Sequence, residues 1–319
     1  MQPLSEASPS QLRSVQLVLT DMDDTLTFRG RLAAETYDAL ERLEGAGVRV
    51  VPVTAAPAGW CDQMVRMWPV SAVIGENGGF CFTRDGTNVR RRFWLDDPER
   101  EAETARLHEI ARTIAATLPE ARIADDQSYR LTSFAFDRTD ETTARAIAAA
   151  FRKAGASTTL NAIWALGWLG DYDKIKAARK FLPSAVGLDV DLDKDRIVFV
   201  GDSANDAPMF AHFSKAAGVS TVTEHLSDIL HPPAGSPAAP ADQALSKWPT
   251  PFSPPATRPR KRQQLCFMRA ELFVVAESQD DGDCPNQTRI KARQRRPHVT
   301  FSSESASRKS DSRRDLTTV

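Results

Sequence analysis

From Leu12 to about Val219, short apolar runs alternate with amphipathic segments, the pattern of βα units wound around a largely parallel sheet. Val15-Gln16-Leu17-Val18-Leu19 reads as a first buried strand. Leu32, Thr36, Leu40 and Leu43 then recur at helical spacing, and Gly45 and Gly47 stop that helix before a second strand, Val48-Arg49-Val50-Val51-Pro52-Val53. Ser71-Ala72-Val73-Ile74 predicts a third strand, running into the turn Gly75-Glu76-Asn77-Gly78-Gly79. Phe80-Cys81-Phe82 and Arg91-Arg92-Phe93-Trp94 flank Asp85-Gly86 and predict a hairpin whose loop is longer than two residues.

Between about Leu95 and Gly170 the order changes. A long helix from Pro98 to Thr117 precedes Arg122-Ile123-Ala124, then Leu131 to Phe136, a helix over Thr142 to Lys153, and Thr158-Thr159-Leu160-Asn161. This order predicts an inserted α+β domain. The doubly wound pattern resumes with a helix near Lys174 to Leu182, the strand Arg196 to Val200 and a helix from about Asn205 to Phe213. The expected fold is therefore α/β: a Rossmann-like, doubly wound parallel sheet made by residues 1–94 and 170–230, with an inserted α+β cap over 95–169.

After roughly His231 the pattern fails. Nine of the 28 residues from Pro232 to Pro259 are proline, and the remainder of the chain is rich in Ser, Arg, Gln and Asp, so 231–319 is expected to be a Pro-rich, then basic, disordered tail. Charge sharpens the division: residues 1–257 carry 27 Lys+Arg against 34 Asp+Glu, and residues 258–319 carry 14 against 8. A frame-shifted reading of the gene would produce such a switch. The basic runs Arg258 to Arg262 and Arg289 to Arg296 have no folded module around them, which favours a solvated tail over nucleic-acid binding. Four scattered cysteines without a CxxC pair exclude a disulfide scaffold and fit a reducing, cytoplasmic compartment. The N-terminus shows no signal-peptide pattern, and no run approaches the ~20 apolar residues of a membrane helix, so no membrane association is expected.

Chemistry gathers just past the predicted strand ends. Asp21-Met22-Asp23-Asp24-Thr25-Leu26-Thr27 follows the first strand, Thr54 the second, Lys174 opens a helix, and Gly201-Asp202-Ser203-Ala204-Asn205-Asp206 follows the last clear strand. In a parallel sheet these positions converge on one crevice. Two acids, a hydroxyl, a cation and more acids suit phosphoryl transfer: a carboxylate attacks phosphorus, a second moves a proton, and cations hold the charge on the equatorial oxygens. Hard oxygen ligands without a histidine or thiolate cluster point to Mg²⁺. Taken singly, each patch has a plainer account as a turn, a cap or a solvated residue. Leu26, at the sixth position from Asp21, argues against a calcium loop.

These four motifs resemble those of the haloacid dehalogenase superfamily: DxDxT at Asp21 to Thr25, the second-motif threonine at Thr54, the third-motif lysine at Lys174, and GDxxND at Gly201 to Asp206. The placement of the insert after Gly75-Glu76-Asn77-Gly78 resembles subfamily IIB, which includes Cof-like, sucrose-phosphate and mannosyl-3-phosphoglycerate phosphatases. The resemblance implies that Asp21 is the nucleophile that forms an aspartyl-phosphate and Asp23 the acid and base. Thr54 and Lys174 would bind the phosphoryl group. Asp21, the carbonyl of Asp23 and Asp202 would ligate Mg²⁺, with Asn205 and Asp206 in support. A small phosphorylated metabolite, such as a sugar phosphate, is the expected partner, with Asn77, Asp126, Gln127 and Arg130 as candidate substrate contacts. A phosphosugar mutase and a catalytically impaired binding protein are the rival expectations. The sequence departs from the family in two places: Ala55-Ala56 stands where Gly-Arg is usual, and the closing strands and last helix of the core give way to the tail.

Overall fold

A computed structural model describes residues 13–219 and Val222; the expected tail lies outside the described residues. The chain opens with β1 (Leu17–Thr20), a small β2 (Thr27–Phe28) and β3 (Arg31–Leu32) flap, α1 (Ala34–Gly45), β4 (Arg49–Pro52) and α2 (Ala58–Met67). β5 (Ala72–Gly75), β6 (Phe80–Asp85) and β7 (Asn88–Phe93) come next. The cap comprises α3 (Asp97–Thr117), β8 (Ser133–Asp137), α4 (Glu141–Lys153), β9 (Ser157–Leu160) and β10 (Trp164–Trp168). The core then resumes with α5 (Lys174–Val186), β11 (Ile197–Gly201), α6 (Ala207–His212) and β12 (Ala216–Gly218).

β12, β11, β1 and β4 are parallel neighbours in that order. A parallel bridge from Val53 to Ile74 sets β5 beside β4, and β6 and β7 fold back antiparallel. Side chains alternate across the sheet, so each strand feeds two cores. Val18, Val50, Val198 and Val200 pack with Leu40 and Leu43 of α1 and Met64 and Val65 of α2. Leu17, Leu19, Val51 and Phe199 pack with Phe181 and Leu182 of α5 and Phe210 of α6. Helices on both faces explain why these strands read as continuous apolar runs in the sequence.

The hairpin differs from expectation. β6 and β7 pair out to Asp85 opposite Asn88, which leaves a two-residue loop, Gly86-Thr87, with Gly86 at φ 63. Its outer half is polar because that end faces solvent, where an Asp85–Arg90 ion pair of 2.7 Å spans the strands.

In the cap, β8, β10 and β9 form an antiparallel sheet in that order. Leu107 and Ile114 of α3 and Ile147 and Phe151 of α4 cover one face with Phe134 and Phe136. The other face, Ala135, Trp164 and Leu166, packs with Ala55 of the core. The central strand β10 is absent from the elements the sequence predicts, because Trp-Ala-Leu-Gly-Trp shows no polar alternation once both faces are covered. Its Gly167 is obligatory, since a Cβ there would run into the Phe151 ring. Arg122-Ile123-Ala124 forms no strand and meets β8 only through a bridge from Ile123 to Phe136.

Candidate active site

Thr20 lies opposite both Val200 and Pro52, so β1, β11 and β4 end together. Asp21, Asp202 and Thr54 come just after those ends, at one edge of the sheet. The Asp21 amide donates to the Val200 carbonyl at 2.8 Å, which fixes the residue where it leaves β1. α5 begins at this same edge, its first turn capped by the Asp173 carboxylate on the Lys176 amide. Lys174, in that first turn, is 2 % exposed. A buried ammonium at the positive end of a helix is unfavourable without acid partners.

Lys174 has two. Its Nζ lies 2.9 Å from Asp21 Oδ1 and 2.7 Å from Asp206 Oδ1, and it also donates to Asn205 Oδ1 at 3.4 Å. The second oxygen of Asp206 accepts from the amides of Asp202 and Ser203 at 3.1 and 3.3 Å. Thr25 donates its hydroxyl to Asp202 Oδ1 at 2.8 Å. One connected network thus holds Asp21, Asp202, Asp206 and Lys174.

The network is rich in negative charge. Burial raises the Asp21 carboxyl to about 6, although the Lys174 ammonium works against the shift. Half-buried Asp23 is pushed up to about 7, by burial and then by the charge of Asp21. Burial, with Asp21 and Asp206 nearby, holds Asp202 well above the usual carboxylate range. Burial also opposes the charge on Lys174, but the Asp206 and Asp21 carboxylates outweigh it and keep the ammonium protonated. Asp21, Asp202 and Asp206 each offer an oxygen within 4.8 Å of the others. Three neighbouring buried carboxylates, two of them paired with one ammonium, are hard oxygen donors that fit a hard divalent cation.

Thr54 is fully buried, and its hydroxyl accepts from the Ala56 amide at 3.0 Å, which tightens the turn after β4. Its carbonyl accepts from the Asn77 amide at 3.0 Å. Asn77 sits at φ 58 with its side-chain nitrogen buried and without a hydrogen-bond partner. At the place where the sequence lacks Gly-Arg, the cap supplies a cation: Arg130, 0 % exposed at its side chain, donates to the Ala55 carbonyl at 3.0 Å. The same guanidinium pairs with Asp126 and lies 4.5 Å over the Trp164 ring. Gln127 bonds the main chain at Ser133 and Ala135. Asp126, Gln127 and Arg130 therefore spend their polar groups within the protein.

Two residues that carry no role in the sequence motifs' reading hold the site together. Thr25 positions Asp202 through its hydroxyl. Glu76, at φ 48 and fully buried, accepts five hydrogen bonds: from the Ala58 and Leu131 amides on Oε1, and from the Thr132 amide and the Thr132 and Ser133 hydroxyls on Oε2. It joins the start of α2 to the strand entry of the cap, 55 residues away and beyond any local sequence signal. Between core and cap lies a cleft of about 580 Å³, opening on Asp21, Asp23, Asp202 and Asn205 and walled on the cap side by α4, β9 and the Asn161 loop.

No protein-family model and no curated protein matches the sequence. Solved structures match it in fold. A protein from Thermoplasma acidophilum aligns at 19% identity with a TM-score of 0.58, over 73% of this chain and 96% of that one. The C-terminal domain of trehalose-6-phosphate phosphatase from C. albicans aligns at 12% identity and 0.56, over 75% and 95%. A subclass IIB sugar phosphatase of the haloacid dehalogenase superfamily aligns at 14% identity and 0.52, over 73% and 97%. Across 73% of its length, this chain shares the fold of that subclass IIB sugar phosphatase of the haloacid dehalogenase superfamily.

Proposed function

We propose that the protein is a divalent-metal-dependent phosphatase acting on a small phosphate monoester, a sugar phosphate or a close analogue. The observation that carries this reading is the buried Asp21–Lys174–Asp206 chain at the sheet edge, with Asp202 beside it. Asp21 attacks phosphorus and forms an aspartyl-phosphate as the ester oxygen departs. Asp23, carried two residues on by the turn after β1, gives that oxygen its proton. Its raised affinity for protons, with a midpoint of about 7, suits both halves of the cycle. Asp23 then takes a proton from the water that hydrolyses the acyl phosphate, and inorganic phosphate leaves.

Lys174 holds phosphoryl oxygens, and Asp206 keeps it oriented and charged. Thr54 shapes the turn beside it. Asp21, Asp202 and the Asp23 carbonyl would hold Mg²⁺, while Asp206, both of whose oxygens are already engaged, acts from behind with Asn205. When bound, the ion neutralises charge on the transferring group. The sugar-phosphate class draws support from two fold neighbours, one a sugar phosphatase and the other a trehalose-6-phosphate phosphatase.

The test is inorganic phosphate release from a panel of sugar phosphates, with and without Mg²⁺, by the intact protein and by Asp21→Asn. Metal-dependent release that falls at least about 10³-fold in the variant supports the reading. Equal release by both proteins, or none from the folded wild type, refutes it; release that requires glucose 1,6-bisphosphate would instead indicate a mutase.

A further inference from the structure

We propose that the substrate's leaving group carries a second acidic group at its far end, a carboxylate or a phosphate, and that Arg145 and Arg152 on α4 bind it. The inference rests on the phosphatase reading, since it concerns the part of the substrate that departs. The cleft that opens on Asp21 and Asp202 continues along α4, where Glu141, Arg145, Ala148 and Arg152 form its wall. These positions, three and four residues apart, share one helix face. From Glu141 to Arg152 that face runs about 16 Å at ~1.5 Å per residue. A cleft of about 580 Å³ lies within the ~300–1,000 Å³ typical of small-ligand sites and far exceeds the room a phosphoryl group needs.

The charges on the two sides of the cleft are opposite. The core side is acidic. On the cap side, one carboxylate serves two guanidiniums: Glu141 lies 2.6 Å from Arg138 and 2.6 Å from Arg145. Arg138 is further occupied by the Asn161 carbonyl. Arg145 is 74% exposed, and the Arg152 side chain has no ion pair or hydrogen bond among the described residues. The wall therefore carries surplus positive charge facing the acidic core side. A basic residue in the last turn of a helix has a plainer use, to complement the helix dipole. Lys153 meets that need without lining the cleft, whereas Arg152 lines it. A neutral leaving group would leave the Arg152 guanidinium, and the Arg145 nitrogens that do not face Glu141, to water, but a distal anion would satisfy them with charge-assisted hydrogen bonds.

The test uses matched alkyl phosphates of three to ten carbons whose far end is a hydroxyl, a carboxylate or a phosphate. Binding to the full-length Asp21→Asn protein, which retains the ligand unhydrolysed, is measured by calorimetry in Mg²⁺, with and without Arg152→Ala and Arg152→Lys. Anionic ends should bind about tenfold tighter than the hydroxyl at the chain length that spans the cleft. Arg152→Ala should remove the preference while leaving hydroxyl-ended ligands unchanged, and Arg152→Lys should restore part of it. The carboxylate and phosphate arms identify which anion is selected. Equal binding of all three ends, or a preference that survives Arg152→Ala, overturns the proposal. Phosphate release by the unmodified protein is scored separately, so a failed phosphatase reading and a failed acidic subsite give different results.

Discussion

Replacing Glu76 by Gln changes almost nothing in shape, yet it should loosen the joint between core and cap. The carboxylate only accepts hydrogen bonds, and all five groups that meet it, from four residues, donate. A glutamine must turn its NH₂ toward one group of donors. On the Oε1 side it would face the amides of Ala58 and Leu131, which cannot reverse. On the Oε2 side the Thr132 and Ser133 hydroxyls can rotate to accept, but the Thr132 amide, formerly 2.7 Å from an oxygen, is left unpaired. The second arrangement is the cheaper one. One orphaned buried amide costs about 1–3 kcal/mol. Exchanging the remaining charge-assisted bonds for neutral ones adds about 1 kcal/mol, for a loss of roughly 3 kcal/mol. At ~2–4 °C per kcal/mol for a domain of 150–250 residues, the melting temperature should fall by roughly 6–12 °C. Calorimetric unfolding measures the fall, and amide exchange at Leu131 and Thr132 locates it. Glu109→Gln, which breaks only an exposed pair with Arg112, serves as control and should shift melting by no more than about 2 °C. A Glu76→Gln protein that melts with its control would refute the argument that this carboxylate fastens the cap.

Gly201→Ala should cost activity more than stability, because a Cβ there would stand 2.5 Å from Asp206 Oδ2 and push away the carboxylate that orients Lys174. A fall in kcat of at least about tenfold is expected in phosphate-release kinetics, and unchanged kcat would count against Asp206 as the orienting group. Asp202→Asn should abolish the stabilisation by Mg²⁺, which for the wild type is about 2.7 kcal/mol at a hundredfold excess over Kd, as read from melting curves. In chelator, the free-energy difference between wild type and Asp23→Asn should move against the wild type as pH rises from about 4 to about 7. Folded Asp23, held at about 7 by burial and by Asp21, keeps a proton that the unfolded carboxyl, near 3.8, releases. Wherever the folded state binds more protons, stability falls with rising pH. A difference that moves the other way in urea titrations would show that the Asp23 carboxyl is not shifted upward.

Much of the core was legible in one dimension. Leu17 to Thr20, Arg49 to Pro52 and Ile197 to Gly201 are buried on both faces, and such strands must be written as unbroken apolar runs. Parallel pairing then dictates that the residues just past those strands share one edge, so Asp21, Lys174, Asp202 and Asp206 were identifiable before any distance was known. Local signals also marked the long cap helices. They did not mark β10, whose five residues are covered by partners remote in sequence.

Tertiary structure decided the remainder because it depends on which groups meet. Glu76 looked like one residue of a turn, and only folding brings five donors to it from α2 and the cap. Arg130 was a polar residue of the insert; the fold buries it against Ala55 and sets a cation beside the turn that lacks one in the sequence. The Asp21 carboxyl owes its raised proton affinity to burial, a property no residue possesses alone. Arg145 and Arg152 lie on a cap helix, and only the packing of cap against core turns that face into the wall of a cleft. The sequence determined which acids and which lysine gather and the edge where they do so, since both arise from strand order and residue type. The surroundings of those groups, and how strongly each holds its charge, were settled by long-range contacts.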